Sequence, residues 1–144
     1  VAQAVETTVM KLEVCAPDRA SAALDVVEVV LPGRAGEFTV LPGHTPRLAS
    51  LEIGNAIATD PKGNEHAIAI SGGFAKVLDN TIVLLSPAAE RGPDIDLRRA
   101  QHAQTRAEER LAARDEDIDV ARATLALHRA LARIGAAEHT HAPS

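Results

Sequence analysis

Between Pro93 and Gly135 the chain has neither glycine nor proline, and within that stretch one phrase occurs twice. Asp94-Ile95-Asp96-Leu97-Arg98-Arg99-Ala100 returns as Asp117-Ile118-Asp119-Val120-Ala121-Arg122-Ala123. Aspartate is a preferred helix N-cap, because its carboxylate accepts a hydrogen bond from a free backbone N–H. The second Asp of each copy then lies in the first turn, where negative charge suits the helix dipole. The phrase therefore predicts two helices, about 97–113 and 119–134, joined at Arg114-Asp115-Glu116. A link that short makes an antiparallel two-helix hairpin.

Both predicted helices are amphipathic. In the first, Leu97, Ala100, Ala103, Ala107 and Leu111 recur at helical spacing. In the second, Val120, Leu127, Leu131 and Ile134 form a line that Ile118, Ala121, Leu125 and Ala132 widen. The many alanines let the axes approach but bury little area, so the seam adds modest stability. Such a hairpin is less stable than a leucine-packed body and is able to leave it.

The chain before Pro93 reads differently. Short runs of alternating or β-branched residues are separated by Gly, Pro, Asp and Asn. Strands are predicted at 9–14, 24–31, 37–41, 48–53, 55–59, 65–71, 75–78 and 81–86. Leu-Pro-Gly marks corners at Gly33 and Gly43, Asp60-Pro61-Lys62-Gly63-Asn64 is a hairpin loop, and Asp79-Asn80 suits a two-residue primed turn. Gly72-Gly73 inside this pattern signals a bulge or a close backbone approach. The fold class is β followed by α: a flattened antiparallel β sandwich or barrel at 9–88, then the hairpin at 94–134. Residues 88–93 read as a linker, and 1–8 and 135–144 as flexible terminal extensions.

Composition removes several function classes. A net charge of −5 argues against a nucleic-acid binder. Cys15 is the only cysteine, so no intramolecular disulfide or cysteine metal cluster forms. No apolar run approaches the ~20 residues of a bilayer span, so direct membrane insertion is not expected. No phosphate loop, His-Glu-x-x-His or activated serine is present: Ser50, Ser71 and Ser86 lack a partner motif. The chain reads as non-catalytic with no required cofactor. His139-Thr140-His141 reads as solvated tail rather than a metal site, and no metal ligands are assigned.

Exposed loops on a stiff body are where binding residues gather. Glu37, after Gly36, and His44, in the proline-framed Leu41-Pro42-Gly43-His44-Thr45-Pro46, are candidates; each also fits a plain surface role. The helices carry a second pattern. Asp96, Arg99 and Arg106 share one face of the first, and Arg122, Arg129 and Arg133 one side of the second. Antiparallel packing brings Arg129 and Arg133 toward Asp96 and Arg99. Two readings stand: several guanidiniums holding a polyanion such as a nucleotide phosphate, or a solvated face paired with residues such as Glu108 and Asp119.

Four ordered blocks carry a family resemblance. Met10-Lys11-Leu12-Glu13-Val14 with Pro17-Asp18-Arg19, the run Gly36-Glu37-Phe38-Thr39-Val40-Leu41-Pro42-Gly43-His44-Thr45-Pro46, Ile70-Ser71-Gly72-Gly73-Phe74, and Arg91-Gly92-Pro93-Asp94-Ile95-Asp96 resemble the epsilon subunit of bacterial F-type ATP synthase. The resemblance implies a rotor subunit of the central stalk. Its sandwich binds the gamma subunit and rests on the c-ring, with Glu37 and His44 in the block facing the rotor. It couples proton translocation to ATP synthesis from the cytoplasmic face of the bacterial plasma membrane. Its hairpin extends into the alpha/beta catalytic head and inhibits hydrolysis. The Ile95-Asp96-Leu97-Arg98-Arg99-Ala100 match, with Arg106, Arg129 and Arg133, implies a regulatory ATP on the folded hairpin. Three residues depart from the family pattern: Thr39 for a usual Gly, Arg47 for an apolar residue, and Lys76 for a common Glu. Arg47 is expected to snorkel or to meet an acidic partner. The competing reading from the residues alone is a freestanding β-sandwich scaffold with a coiled-coil partner-binding arm.

Overall fold

The computed structural model describes residues 9–17, 19–113 and 119–141. The extension 1–8, Asp18, Ile118 and the link Arg114-Asp115-Glu116 lie outside the described residues. The strands are β1 Met10–Ala16, β2 Arg19–Val26, β3 Glu28–Leu31, β4 Phe38–Val40, β5 Arg47–Thr59, β6 Glu65–Leu78, β7 Thr81–Leu85 and β8 Ala89–Arg91. A single 3-10 turn, Gly92–Asp94, leads into α1 Leu97–Ala113 and α2 Val120–His141.

The strands hydrogen-bond in the order β2-β1-β7-β6-β5-β3-β4, with β8 pairing Ile68–Ile70 of β6 on the edge that β7 takes farther along. Pairing is antiparallel except between β1 and β7, which run parallel. This continuous sheet becomes a sandwich because β5 and β6 bend together. Before the bend β6 turns Ile68 and Ile70 to the core; after it, Ala75 and Val77. In β5 the core-facing residues switch likewise, from Leu51 to Ala56 and Ala58. Pairing does not slip across the bend, since Leu51 faces Gly73 and Ile53 faces Ser71. Both strands thus rotate by one face at the same rung. One layer holds β2, β1, β7 and the adjoining halves of β5 and β6; the other holds β4, β3, the remaining halves and β8.

Gly73 permits this corner. Its φ is +108°, and a Cβ there would lie 1.9 Å from the Leu85 carbonyl oxygen. Ser86, buried and polar, secures the adjacent backbone: its Oγ donates to the Ala88 carbonyl at 2.7 Å and accepts from the Ser71 N–H at 3.1 Å. The Gly72-Gly73 signal was therefore a close backbone approach. The core between the layers is aliphatic, with Met10, Leu12, Leu31, Ile70, Ile82 and Leu84 fully enclosed.

Several sequence expectations are corrected. The runs 48–53 and 55–59 are one strand, β5, and 65–71 and 75–78 are one strand, β6. A bend reads as a break in sequence, although the ladder is continuous through it. The single run 24–31 divides at Val27, because β2 and β3 belong to different layers and the chain crosses there. Val27 N–H then bonds Thr59 O at 2.8 Å. Residues 88–93 are not a plain linker: Ala89–Arg91 pairs with β6 as β8. Asp79 and Asn80 do adopt φ of +50° and +56°, the primed turn their residue types suggested.

The helices start within one residue of the expected positions, at Leu97 and Val120, but their caps sit two residues later than expected. Asp96 Oδ1 accepts from Arg99 N–H at 3.1 Å, and Asp119 Oδ1 from Arg122 N–H at 3.0 Å. The second Asp of each phrase is thus the cap, and Asp94 belongs to the preceding 3-10 turn. The tail expectation fails for 135–141, because α2 continues through Gly135 to His141, while 142–144 lie outside the described residues. Tertiary contact sustains it: Ala132, Ala136 and Ala137 pack against Ala67 and Ala69 of β6, with Ile95 alongside.

Candidate functional site

Two surfaces on the sandwich carry the candidate chemistry, and they lie on opposite layers. The first is the docked hairpin. The outer face of β6 before the corner presents Ala67 and Ala69, and β5 adds Ile53 and Ile57. Small side chains on both partners let α2 lie close. Gly135 lies at a tight point, where a Cβ would meet the Asn55 side-chain Nδ2 at 2.9 Å.

Between the helices the buried line is alanine: Ala100 and Ala107 of α1, Ala123 and Ala130 of α2. Val120, Leu125 and Leu131, expected on the buried line, are 61%, 44% and 44% exposed. Small residues take the seam because they allow the axes to close, and the larger ones are displaced to its flanks.

Polar contacts fasten the hairpin to the body. Arg133 Nε lies 2.8 Å from Glu90 Oε1, and its Nη2 donates to Oε2 at 3.2 Å. The Nε–H is poorly aligned on its partner, so the second contact is the formed hydrogen bond and the first is ionic. Arg19 approaches the same carboxylate at 3.6 Å. Farther along α2, His139 Nε2 lies 3.1 Å from Glu65 Oε1.

These contacts redistribute the proposed polyanion residues. Ile95 and Ala100 are packing residues, 8% and 0% exposed. Asp96 caps its own helix. Arg133 is engaged by Glu90 rather than by Asp96. Arg99 and Arg106 line an open depression on α1 together with His102 and Thr105. Arg129 is exposed on α2 and is not part of that lining. Glu90 was missed by sequence reasoning. Its partner is 43 positions away, and no local pattern reports so distant a pair.

The second surface is the outer face of the layer opposite the helices. Past the corner, Phe74, Lys76 and Leu78 point outward from β6. Phe74 pairs with Leu85 of β7 and Ser50 of β5, and Lys76 with Leu48. Leu48 is 72% exposed, Phe74 52%, Leu85 51% and Leu78 41%. A strip this apolar is uncommon on a freestanding surface and marks an interaction face.

The loop candidates flank β4. Glu37 is exposed before β4, and His44 is half-buried after it. No hydrogen bond or ion pair joins them among the described residues. His44 is held locally: its N–H donates to Leu41 O at 3.0 Å, and its Nδ1 donates to Thr45 O at 2.7 Å. The whole loop is tied to the β6–β7 turn, because Asn80 Oδ1 accepts from Gly43 N–H at 2.8 Å. Asn80 is a positioning residue that sequence reasoning saw only as a turn former. Arg47 meets no acid among the described residues; its guanidinium stacks 4.0 Å over the Phe38 ring.

Comparison with known proteins matches this two-part architecture. The family described as ATP synthase, Delta/Epsilon chain, beta-sandwich domain matches residues 9–92. The one described as ATP synthase, Delta/Epsilon chain, long alpha-helix domain matches residues 94–138. The ATP synthase epsilon chain of Carboxydothermus hydrogenoformans is 51% identical over 105 residues, 73% of this chain and 78% of that one. The epsilon chain of Nitratidesulfovibrio vulgaris strain DP4 is 46% identical over 103 residues, 72% and 76% of the two chains. A chain in the structure of Euglena gracilis mitochondrial ATP synthase, OSCP/F1/c-ring, superposes with a TM-score of 0.76 at 24% identity, covering 92% of this chain and 82% of that one. Matched through both of its parts, the chain belongs to the ATP synthase delta/epsilon family and is a non-catalytic, epsilon-type chain of that enzyme's central stalk.

Proposed function

We propose that the exposed strip Leu48, Phe74, Leu78 and Leu85 seats the gamma subunit and so fixes this chain to the rotor. The observation that carries the reading is the position of the strip on the layer opposite the docked helices. One face is then committed to the stalk while the other remains free to release the hairpin. The loop end, with Glu37 and His44, meets the c-ring on the cytoplasmic face of the bacterial plasma membrane. No described helix is long and apolar enough to cross a membrane. The chain thus rides with the rotor as proton flow is coupled to ATP synthesis.

The hairpin is the regulatory part. Its contact with the body, centred on Ala132, Ala136 and Ala137 against Ala67 and Ala69, is largely alanine and gives up little apolar area on release. Its exposed Val120, Leu125 and Leu131 offer a face for the alpha/beta head when it extends, and that state inhibits ATP hydrolysis. ATP favours the docked state through Asp96, Arg99, Arg106, Arg129 and Arg133. Arg133 is then contested between Glu90 and the phosphates. Co-purification tests the assembly: the full chain is expected to join gamma, and Leu48→Glu with Phe74→Glu to abolish that while the chain stays folded. Wild-type binding by the double variant would remove the proposed face.

A further inference from the structure

The sandwich is open along one side. Among the described residues β2 pairs only with β1, and β8 only with β6, so two sheet edges face each other without a ladder between them. Between them lies a cavity of about 310 Å³. Its floor is Leu12 and Ile68, and its walls are Val14 and Leu24 from one layer and Ala89 from the other. Arg19, Arg91 and Asp94 also line it, and all three are exposed, which places them at the mouth.

The electrostatics of the mouth favour an anion. Of the lining residues two are guanidinium and one is carboxylate. Glu90 does not cancel Arg19 in full, because Arg133 holds the same carboxylate at 2.8 Å while Arg19 stands off at 3.6 Å. Arg91 donates to His66 Nδ1 at 3.2 Å; arginine has no acceptor, so this ring nitrogen carries no proton and offers no counter-charge. A guanidinium has five N–H donors, so Arg91 retains donors for a carboxylate.

Size limits the remainder of the ligand. The volume is at the lower end of small-molecule pockets. Its narrow aliphatic floor suits one alkyl chain. We propose that the seam between β2 and β8 is a binding site for a single-chain fatty carboxylate, its tail on Leu12, Leu24 and Ile68 and its head group on Arg19 and Arg91. The site shares no residue with the arginine pattern of the helices.

Decanoate titrated into the isotope-labelled full chain tests this by methyl and amide NMR. Saturable shifts are expected at Val14, Leu24, Ile68 and Ala89, unaltered by ATP. Decanol, with the same chain and no charge, should bind about tenfold more weakly, as should decanoate to Arg91→Ala, the loss of one charge-assisted contact. Ala22→Phe, at an exposed position of the edge strand, should fill the mouth and end binding while the remaining spectrum persists. The proposal is overturned by no saturable shift at millimolar decanoate, by equal affinity for decanol, by Arg91→Ala leaving the affinity unchanged, or by shifts confined to Leu48, Phe74 and Leu85.

Discussion

Arg133 of α2 reaches across to Glu90 of β8, its Nε 2.8 Å and Nη2 3.2 Å from the two carboxylate oxygens. Both side chains are only partly exposed, at 26% and 20%. The pair is therefore stronger than a surface ion pair and weaker than a dry one. Glu90→Gln should cost hairpin docking about 1–2 kcal/mol. Amide exchange is expected to accelerate along α2, with protection of β5–β7 unchanged. Equal acceleration throughout would mean that the pair supports the whole fold.

Gly73 and Gly63 separate two costs of a side chain. Both have positive φ, +108° and +90°, but a Cβ at Gly73 collides with the Leu85 carbonyl while Gly63 has nothing within 4 Å. Gly63→Ala should destabilise by about 1 kcal/mol from backbone strain alone. Gly73→Ala should exceed about 4 kcal/mol, because the corner must open. Urea denaturation of the two variants checks the difference.

Asp60 sets an acid limit on the 60–64 loop. The hydrogen bond from His66, at 3.0 Å, is the main cause that lowers its pKa from 3.8 to about 2; partial burial opposes it, and the Asn64 and Lys62 N–H groups assist. A depressed carboxylate pKa contributes stability that is complete above the unfolded value and is lost as pH falls through the folded one. The melting temperature should therefore drop between about pH 4 and pH 2. In Asp60→Asn this component of the drop should vanish and the neutral-pH value should be lower.

Removing residues 93–144 should leave assembly with gamma intact, because the apolar strip is on the other layer. Hydrolysis by the assembled enzyme is expected to rise. Unchanged hydrolysis would refute an inhibitory hairpin.

Calorimetry with ATP separates the two readings of the arginines. Binding is expected to weaken about tenfold in Arg129→Ala, the loss of one charge-assisted contact. An absence of heat at millimolar ATP would leave these arginines a solvated face.

Local signals were readable where they were self-contained. The Asp79-Asn80 turn, the close approach at Gly72-Gly73 and the Asp-Ile-Asp helix starts each need only a few neighbouring residues. What escaped depends on distant partners. Three-residue β8 shows no period of its own, and Gly135 looked like a terminus because its packing partner, Asn55, is on another element. For the same reason Arg133 was assigned to Asp96 when its carboxylate is Glu90. Of the seven hairpin residues singled out, Ile95 and Ala100 proved to be packing, which follows from their position on the seam.

The bend shared by β5 and β6 has a mechanical consequence. β6 begins at Glu65, beside His139 of the hairpin, and ends at Leu78, one turn from the Asn80 side chain that grips the Gly43 loop. Its 14 residues have a contour of about 45 Å. A load applied at the loop is therefore carried to the helix seat along one covalent backbone, flanked by a ladder that never changes register. The body resists shear as a folded plate does, with its stiffness concentrated along the crease.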